Sequence, residues 1–305
     1  MPPVRRWHAE LILLGITLIW GGTFALVKGA LALIPPFLFT GIRFLVALVL
    51  VLLLWRGSFH RWEPQTFRAG LVLGMLLAGG FLLQTLGLLF TTASRSAFIT
   101  GATVVLVPVV QLLLQHRRVF LWEWLGAITA LFGLWQLSSP HVMGWNLGDV
   151  LTALSTLCWA FYIVVLDMQT RRLFGTLGSS VQLTVLQFAV TAAGAFLAHG
   201  LTAPVIEFSP PEAWWRSPTV WLALGYTAVL ASVVATLAQT HYQRYTTPVR
   251  ATLIYALEPV FATAIAGLIL QEHLLPHEVL GAAVILLGVV LAQFPRVRLS
   301  EALQR

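Results

Sequence analysis

The sequence predicts an all-α membrane protein: ten transmembrane helices in two inverted five-helix repeats, with both termini in the cytoplasm. Three observations carry this. Hydrophobic residues make up 58% of the 305 and charged residues only 10%, with a mean hydropathy of +0.87; a soluble domain of this size has too much surface to cover with so few charges. Apolar runs long enough to cross roughly 30 Å of hydrocarbon recur along the whole chain. The chain also matches itself at an offset of 155. Gln84-Thr85 falls on Gln239-Thr240, Thr91-Thr92 on Thr246-Thr247, Arg95 on Arg250, Glu123-x-Leu125-Gly126-Ala127 on Glu278-x-Leu280-Gly281-Ala282, and Gly133 on Gly288. Leu18-x-Trp20 likewise echoes Leu157-x-Trp159. Five helices is an odd number, so the second copy sits upside down in the membrane.

The spans are expected at 10–29, 37–55, 67–90, 97–115, 120–137, 148–166, 177–199, 220–243, 250–270 and 277–294. The halves divide at 140/141, giving units 1–140 and 141–305. Met1 to His8 resembles a signal peptide in charge, but its apolar run continues through Gly29 with no small-x-small cleavage site, so it reads as a retained first helix. Arginine placement sets the orientation. Arg5 and Arg6, then Arg56/Arg61/Arg68, Arg117/Arg118, Arg171/Arg172, Arg244/Arg250 and the tail residues Arg296, Arg298 and Arg305 occupy alternate gaps. The intervening gaps hold only Lys28, Arg95 and Arg216, with Asp149, Glu207, Glu212, Glu272 and Glu278. The positive-inside rule puts both termini in the cytoplasm. Trp55, Trp62, Trp122, Trp124, Trp145, Trp214, Trp215 and Trp221 fall near span ends and fit an interfacial belt. The net charge of +7 is spread over these gaps and not gathered in one patch, which argues against a nucleic-acid partner. Cys158 is the single cysteine, so no intrachain disulfide or cysteine-based metal cluster forms, and the eight histidines make no metal-ligand pattern.

Several polar or aromatic residues sit inside the spans. In the first span, Trp20 lies near mid-membrane, with Thr23 on its face; Trp159 of the sixth span is its counterpart, and Tyr162 follows three residues on. The two indoles either face one cavity across the inverted symmetry or pack in the core, where their donors still need partners. Lys28, and Arg43 in the second span, sit close to the outer surface, where snorkelling or anchoring competes with attraction for a substrate carboxylate. Gln84 and Gln239 fall toward opposite ends of the third and eighth spans, as two gates or as interhelical glue. Thr100 and Thr103 in the fourth span line a cavity or bond their own helix carbonyls. Arg95 and Arg250 each begin a helix, where the dipole disfavours a cation, so each needs a partner from a neighbouring helix end. Gly126/Gly133 and Gly281/Gly288 read as packing seams of the fifth and tenth spans. Pro108 and Pro259 either loosen the fourth and ninth spans or are simply tolerated there, as membrane helices tolerate proline. Glu258 lies roughly 12 Å into the ninth span, with Tyr255 one turn before it. A carboxylate at that depth faces a cavity or is protonated. It is either a substrate-amine ligand or protonation site, or a hydrogen-bonded anchor beside the Pro259 break.

At these residues the chain resembles the drug/metabolite transporter superfamily, specifically its EamA-type ten-helix exporters. The resemblance rests on Ile19-Trp20-Gly21-Gly22-Thr23-Phe24 with Lys28, on Gly41-Ile42-Arg43-Phe44, on Ala97-Phe98-Ile99-Thr100-Gly101 with Val107-Pro108, and on Leu257-Glu258-Pro259-Val260 with Leu270-Gln271-Glu272. It covers about residues 10–294. One departure is clear: Gln115-His116-Arg117 stands where the first repeat of the family often carries Gly-Glu. The resemblance implies export of amino acids or other small metabolites from a central cavity by alternating access, in the bacterial cytoplasmic (inner) membrane. It implies a small-molecule substrate and the lipid bilayer as partners, and no cofactor. Proton coupling, and monomer against homodimer, stay open.

Inverted repeats are independently the recurrent plan of secondary transporters. Two other classes compete: an integral-membrane enzyme acting on lipid-linked substrates, and a membrane scaffold or receptor. The sequence holds no His/Asp cluster, Walker loop or glycine-rich phosphate loop for the first. A channel would need a ring-forming polar stripe, which no span shows.

Overall fold

In the computed structural model, residues 5–59, 62, 64–138, 144–173, 177–202, 214–270 and 275–294 are described, and no strand occurs among them. The expected division at 140/141, Arg61, Glu207, Glu212, Gln271-Glu272 and the tail arginines Arg296, Arg298 and Arg305 lie outside the described residues. The helices in order are α1 (Arg6–Gly21), α2 (Thr23–Leu31), α3 (Pro36–Leu54), α4 (Pro64–Phe90), α5 (Ala93–Gly101), α6 (Thr103–Gln115), α7 (Leu121–Ser138), α8 (Leu147–Arg172), α9 (Leu177–Thr202) and α10 (Pro218–Gly225). A π-helix (Tyr226–Val234) joins α10 to α11 (Ala235–Tyr242); α12 (Pro248–Tyr255), α13 (Glu258–Leu270) and α14 (Pro276–Leu291) complete the set. Seven helical stretches are long and apolar enough to cross a membrane: Arg6–Leu31, Pro36–Leu54, Pro64–Phe90, Ala93–Gln115, Leu147–Arg172, Leu177–Thr202 and Pro218–Tyr245. They coincide with seven of the expected spans. The other three expected spans correspond to α7, to α12 with α13, and to α14, the last of only 16 residues.

The internal match in sequence is a match in structure. Adding 155 to the bounds of α5 and α6 gives the starts of α12 and α13 and the end of α13. Helix capping repeats in the same register. Thr92 Oγ1 accepts from the Arg95 amide at 3.2 Å and Thr247 Oγ1 from the Arg250 amide at 3.3 Å, each satisfying a free donor of the first turn. Glu123 accepts from the Phe120 amide at 3.1 Å and Glu278 from the Leu275 amide at 2.8 Å. Both broken rods break at equivalent places, Ala102 and Ala256-Leu257, and the prolines do not set the break points. Pro108 lies well inside α6, while Pro259 is the second residue of α13, where its missing donor has no helical partner to lose. α6 ends on His116 with φ 51°, a left-handed position that suits glycine better than a side chain. His116 lies in the Gln115-His116-Arg117 stretch that departs from the Gly-Glu of the family the sequence resembles.

The two halves interlock. α4 packs along α8 and α9, while α11 and the π-helix pack along α1 and α3, so the third rod of each half lies against the first two of the other. α6 packs on α12, and α7 lies along α14. The last pairing is a glycine seam: a Cβ on Gly126 would stand 2.5 Å from the Gly288 carbonyl oxygen, and one on Gly133 would stand 2.6 Å from the Ile285 nitrogen. Gly281 meets the Leu137 backbone just as closely. Backbone cannot yield as a side-chain tip can, so these positions admit no side chain. The two arginines that begin helices find partners at neighbouring helix ends. Arg95 pairs with Asp149 at the start of α8, and Arg250 Nη1 donates to Gln293 at 3.2 Å beside Glu123. Leu53, Leu54, Met75, Leu113 and Leu197 are among many large apolar side chains left exposed on the outside, as a lipid-facing surface requires.

Candidate functional site

A cavity of about 100 Å³ open to water lies at the centre of the bundle, where both broken rods have their breaks. Thr103 and Glu258 are the first residues of α6 and α13 and line it together, while Gly101 and Tyr255 end α5 and α12 there. The positive ends of two half-helix dipoles therefore point at this space. Trp20, Thr23, Gln84, Thr100, Trp159 and Gln239 line the same space. Tyr162 does not: it is fully buried and its hydroxyl donates to Gln187 Oε1 at 2.7 Å, between α8 and α9.

Most of the wall is built in register-related pairs. At the offset of 155, Phe81 matches Thr236, Gln84 matches Gln239, Thr100 matches Tyr255 and Thr103 matches Glu258. At the offset of 139 set by the two tryptophans, Phe24 matches Ile163. All of these residues line the cavity. Their bonds pair too. Gln84 Nε2 donates to Thr100 Oγ1 at 2.9 Å. In the second half the Tyr255 hydroxyl donates at 3.2 Å to Gln243 Oε1, the atom that Gln239 Nε2 also reaches, at 3.1 Å. The two glutamines thus face one shared space, not two separate ends of the molecule.

Charge breaks this symmetry. Arg43 reaches the cavity from α3, only 5% exposed. Its Nε donates to Ser232 Oγ at 2.9 Å, and its guanidinium lies over Phe81 at 4.5 Å and Phe44 at 5.0 Å from the ring centroids. The snorkelling expected for Arg43 is not what the chain does; a buried cation resting on two aromatic faces keeps donors free for a ligand. Lys28, by contrast, is an anchor: its Nζ donates to the carbonyls of Leu88 and of Thr91, the latter at 2.9 Å. Among the described residues, the Glu258 carboxylate makes no hydrogen bond or ion pair, to Arg43 or to any other group. Thr103, its register mate, is uncharged.

The two tryptophans differ as well. Trp20 Nε1 donates to the Ala231 carbonyl of the π-helix at 3.2 Å, and its ring stands edge-on to Tyr255 with centroids 5.3 Å apart. The Trp159 ring stands edge-on to Phe81 at 4.8 Å, and its Nε1 is buried with no acceptor. Buried indole donors are rarely left so. Thr23 turns its hydroxyl back to the Trp20 carbonyl at 2.8 Å, leaving its methyl to the wall. Phe24, Phe81, Ile163 and Thr236 escaped the reading of single residues, yet helical spacing points to them: Phe24 and Ile163 lie one turn after the tryptophan pair, and Phe81 and Thr236 one turn before the glutamine pair.

Three comparisons bear on what this cavity belongs to. A solved crystal structure superposes on the chain with a TM-score of 0.74, covering 95% of this chain and 97% of that one at 21% identity, which shows a shared fold. An uncharacterized transporter of Archaeoglobus fulgidus is 33% identical over 288 residues, 94% of this chain and 86% of its own length. The uncharacterized inner membrane transporter YedA of Escherichia coli K12 is 29% identical over 286 residues, 92% of this chain and 88% of its own length. The sequence profile of the EamA-like transporter family matches twice in tandem, over residues 7–139 and 146–294. The self-match, the interlocked halves and the shared central cavity are those of a membrane transporter, and the chain belongs to the EamA-like transporter family.

Proposed function

We propose that the chain is a secondary transporter that exports small metabolites, amino acids or close relatives, across the bacterial cytoplasmic membrane by alternating access. One observation carries this: a single cavity, walled by matching residues from both halves, presents a guanidinium and a carboxyl group that are not bonded to each other. An ammonium on Glu258 and a carboxylate on Arg43 satisfy both. Trp159 Nε1 offers a further donor, and Trp20, Phe24, Phe81 and Ile163 give the substrate an apolar bed. A space of about 100 Å³ suits a ligand of a few to several heavy atoms, since a single water needs about 10–15 Å³ on the same measure. A lipid-linked substrate would need a far larger opening, which disfavours the enzyme reading. The test is export itself. Cells producing the protein, loaded with dipeptides of single amino acids, are expected to release at least one amino acid faster than cells without it. Equal release across a full panel would overturn the reading.

The proposal includes ten crossings, with α7, the α12–α13 rod and α14 spanning as well, two units at 1–140 and 141–305, and both termini in the cytoplasm. Arginine placement and the even count support it. Reporter fusions after Arg118 and Arg172 are expected to report cytoplasm, and fusions near Pro140, Pro210 and His273 the outside. One fusion on the wrong side would remove the inverted arrangement.

A further inference from the structure

The bundle carries one bonded pattern twice, once at each end. At the first end, the Thr91 hydroxyl donates to Asp149 Oδ1 at 2.7 Å, Arg95 pairs with the other oxygen of that carboxylate, and Lys28 Nζ donates to the Thr91 carbonyl at 2.9 Å. At the second end, the Thr246 hydroxyl donates to Glu10 Oε1 at 2.8 Å, Arg6 pairs with the same oxygen at 2.8 Å, and Arg171 Nη2 donates to the Thr246 carbonyl at 2.6 Å. The correspondence is not loose. Thr91 and Thr246 are 155 apart, and Glu10 and Asp149 are 139 apart, the two registers that also relate the cavity walls.

The places of these residues matter as much as their bonds. Each carboxylate stands near the start of the first rod of one half, and each threonine follows the third rod of the other half. Each cluster therefore ties the two halves together. Asp149 and Arg171 lie near opposite ends of the unbroken helix α8, 22 residues and so about 33 Å apart along its axis. Trp159, in the cavity wall, lies between them. Both clusters are formed at once in this structure.

We infer that Thr91–Asp149 and Thr246–Glu10 are a matched pair of latches, one at each end of the central cavity, and that the transport cycle releases them one at a time. The inference rests on the alternating-access reading. Rocking one half against the other opens a cleft at one end and closes it at the other. The contacts that join the halves at the opening end must then part. Asp149 is fully buried and Glu10 largely so, beside an exposed Arg6; such a carboxylate parts from its donors at acceptable cost only when water replaces them, so release of a latch and entry of water at that end are one event. Symmetry of the bonds keeps either end from being held shut by a device the other lacks.

The test reads which end is open. A single reporter cysteine is placed in the cavity wall as Thr103→Cys, with Cys158→Ala removing the native thiol, and is labelled with a membrane-impermeant maleimide in right-side-out and in everted vesicles. Thr91→Val and Asp149→Asn are each expected to raise labelling from the Asp149 side relative to the Glu10 side by about tenfold, the weight of one charge-assisted hydrogen bond. Thr246→Val and Glu10→Gln are expected to do the reverse. Thr91→Val combined with Thr246→Val is expected to return the ratio toward that of the reporter alone. The valine variants leave the neighbouring helix caps on Thr92 and Thr247 in place, so they report on the latch even if an acid variant fails to fold. Shifts in the same direction from both ends, or no shift, would overturn the latches. A reporter reached from both sides at an unchanged ratio leaves alternating access standing. A reporter reached from only one side in every variant removes alternating access and the latches together.

Discussion

Glu258→Gln is expected to insert and fold as the parent does, yet to lose most transport, with the residual rate flat across pH. The substitution keeps size and hydrogen-bonding capacity and removes only ionisation. Glu258 shares the cavity wall with two other ionisable side chains, Arg43 and Tyr255, and is bonded to neither. If its carboxylate holds the substrate ammonium, removing one member of such a desolvated charge pair costs about 2–5 kcal/mol, or roughly 30-fold and upward in kcat/KM. If it also takes a proton as it releases that ammonium, the pH profile goes with it. Normal, pH-dependent transport by the glutamine variant would return Glu258 to the role of an anchor beside the helix break. Size-exclusion behaviour and thermal stability in detergent separate a loss of function from a loss of fold.

Arg43→Gln carries the second large effect. The guanidinium is held by Ser232 and by the faces of Phe44 and Phe81, and its remaining donors are free to meet the carboxylate that the proposed substrate would carry. Its loss is expected to raise KM for a carboxylate-bearing substrate by roughly 30-fold or more, and to leave binding of the matching decarboxylated amine within about threefold, since that ligand has nothing to give Arg43. Arg43→Lys restores the charge without the planar fork and is expected to fall between. Equal losses for acid and amine would mean that Arg43 supports the fold of the cavity and does not read its ligand.

Seven of the spans and their order, the interlocked seam of Gly126, Gly133, Gly281 and Gly288, and the self-match were legible because each is a property of position along the chain. Rotation about a helix axis was not. A helix apolar on every side has no stripe to show which face turns inward. Arg43 could be placed in depth but not in direction, and it lies under two aromatic rings where snorkelling was the simpler expectation. Tyr162 failed for a related reason: three residues is about 60° short of a full turn, enough to carry it from the cavity wall beside Trp159 into the seam against Gln187. Tyr255 and Glu258 have the same spacing but straddle a helix break, and both reach the cavity. Phe24, Phe81, Ile163 and Thr236 pair only with one another across the register, and what could have found them is helical spacing: each lies one turn from a tryptophan or glutamine of the matched pairs.

The π-helix at Tyr226–Val234 has a history written in the numbering. Pro64 begins α4 and Pro218 begins α10, 154 residues apart, whereas Gln84 and Gln239, farther along the same two rods, are 155 apart. Between its first residue and its glutamine, the rod of the second half therefore holds one residue more than that of the first. The stretch of α4 in the same register, Leu71–Gly79, stayed an ordinary α-helix. An odd residue in a helix must be shed or absorbed, and a run of wider turns absorbs it without shifting the rest of the rod. Absorbing it put the Ala231 carbonyl where the Trp20 indole donates and the Ser232 hydroxyl where Arg43 donates. Here the two halves differ in backbone as well as in side chain. Two equal halves would make a vessel indifferent to which way round its cargo sits, and this stretch is one of the places where that equality fails.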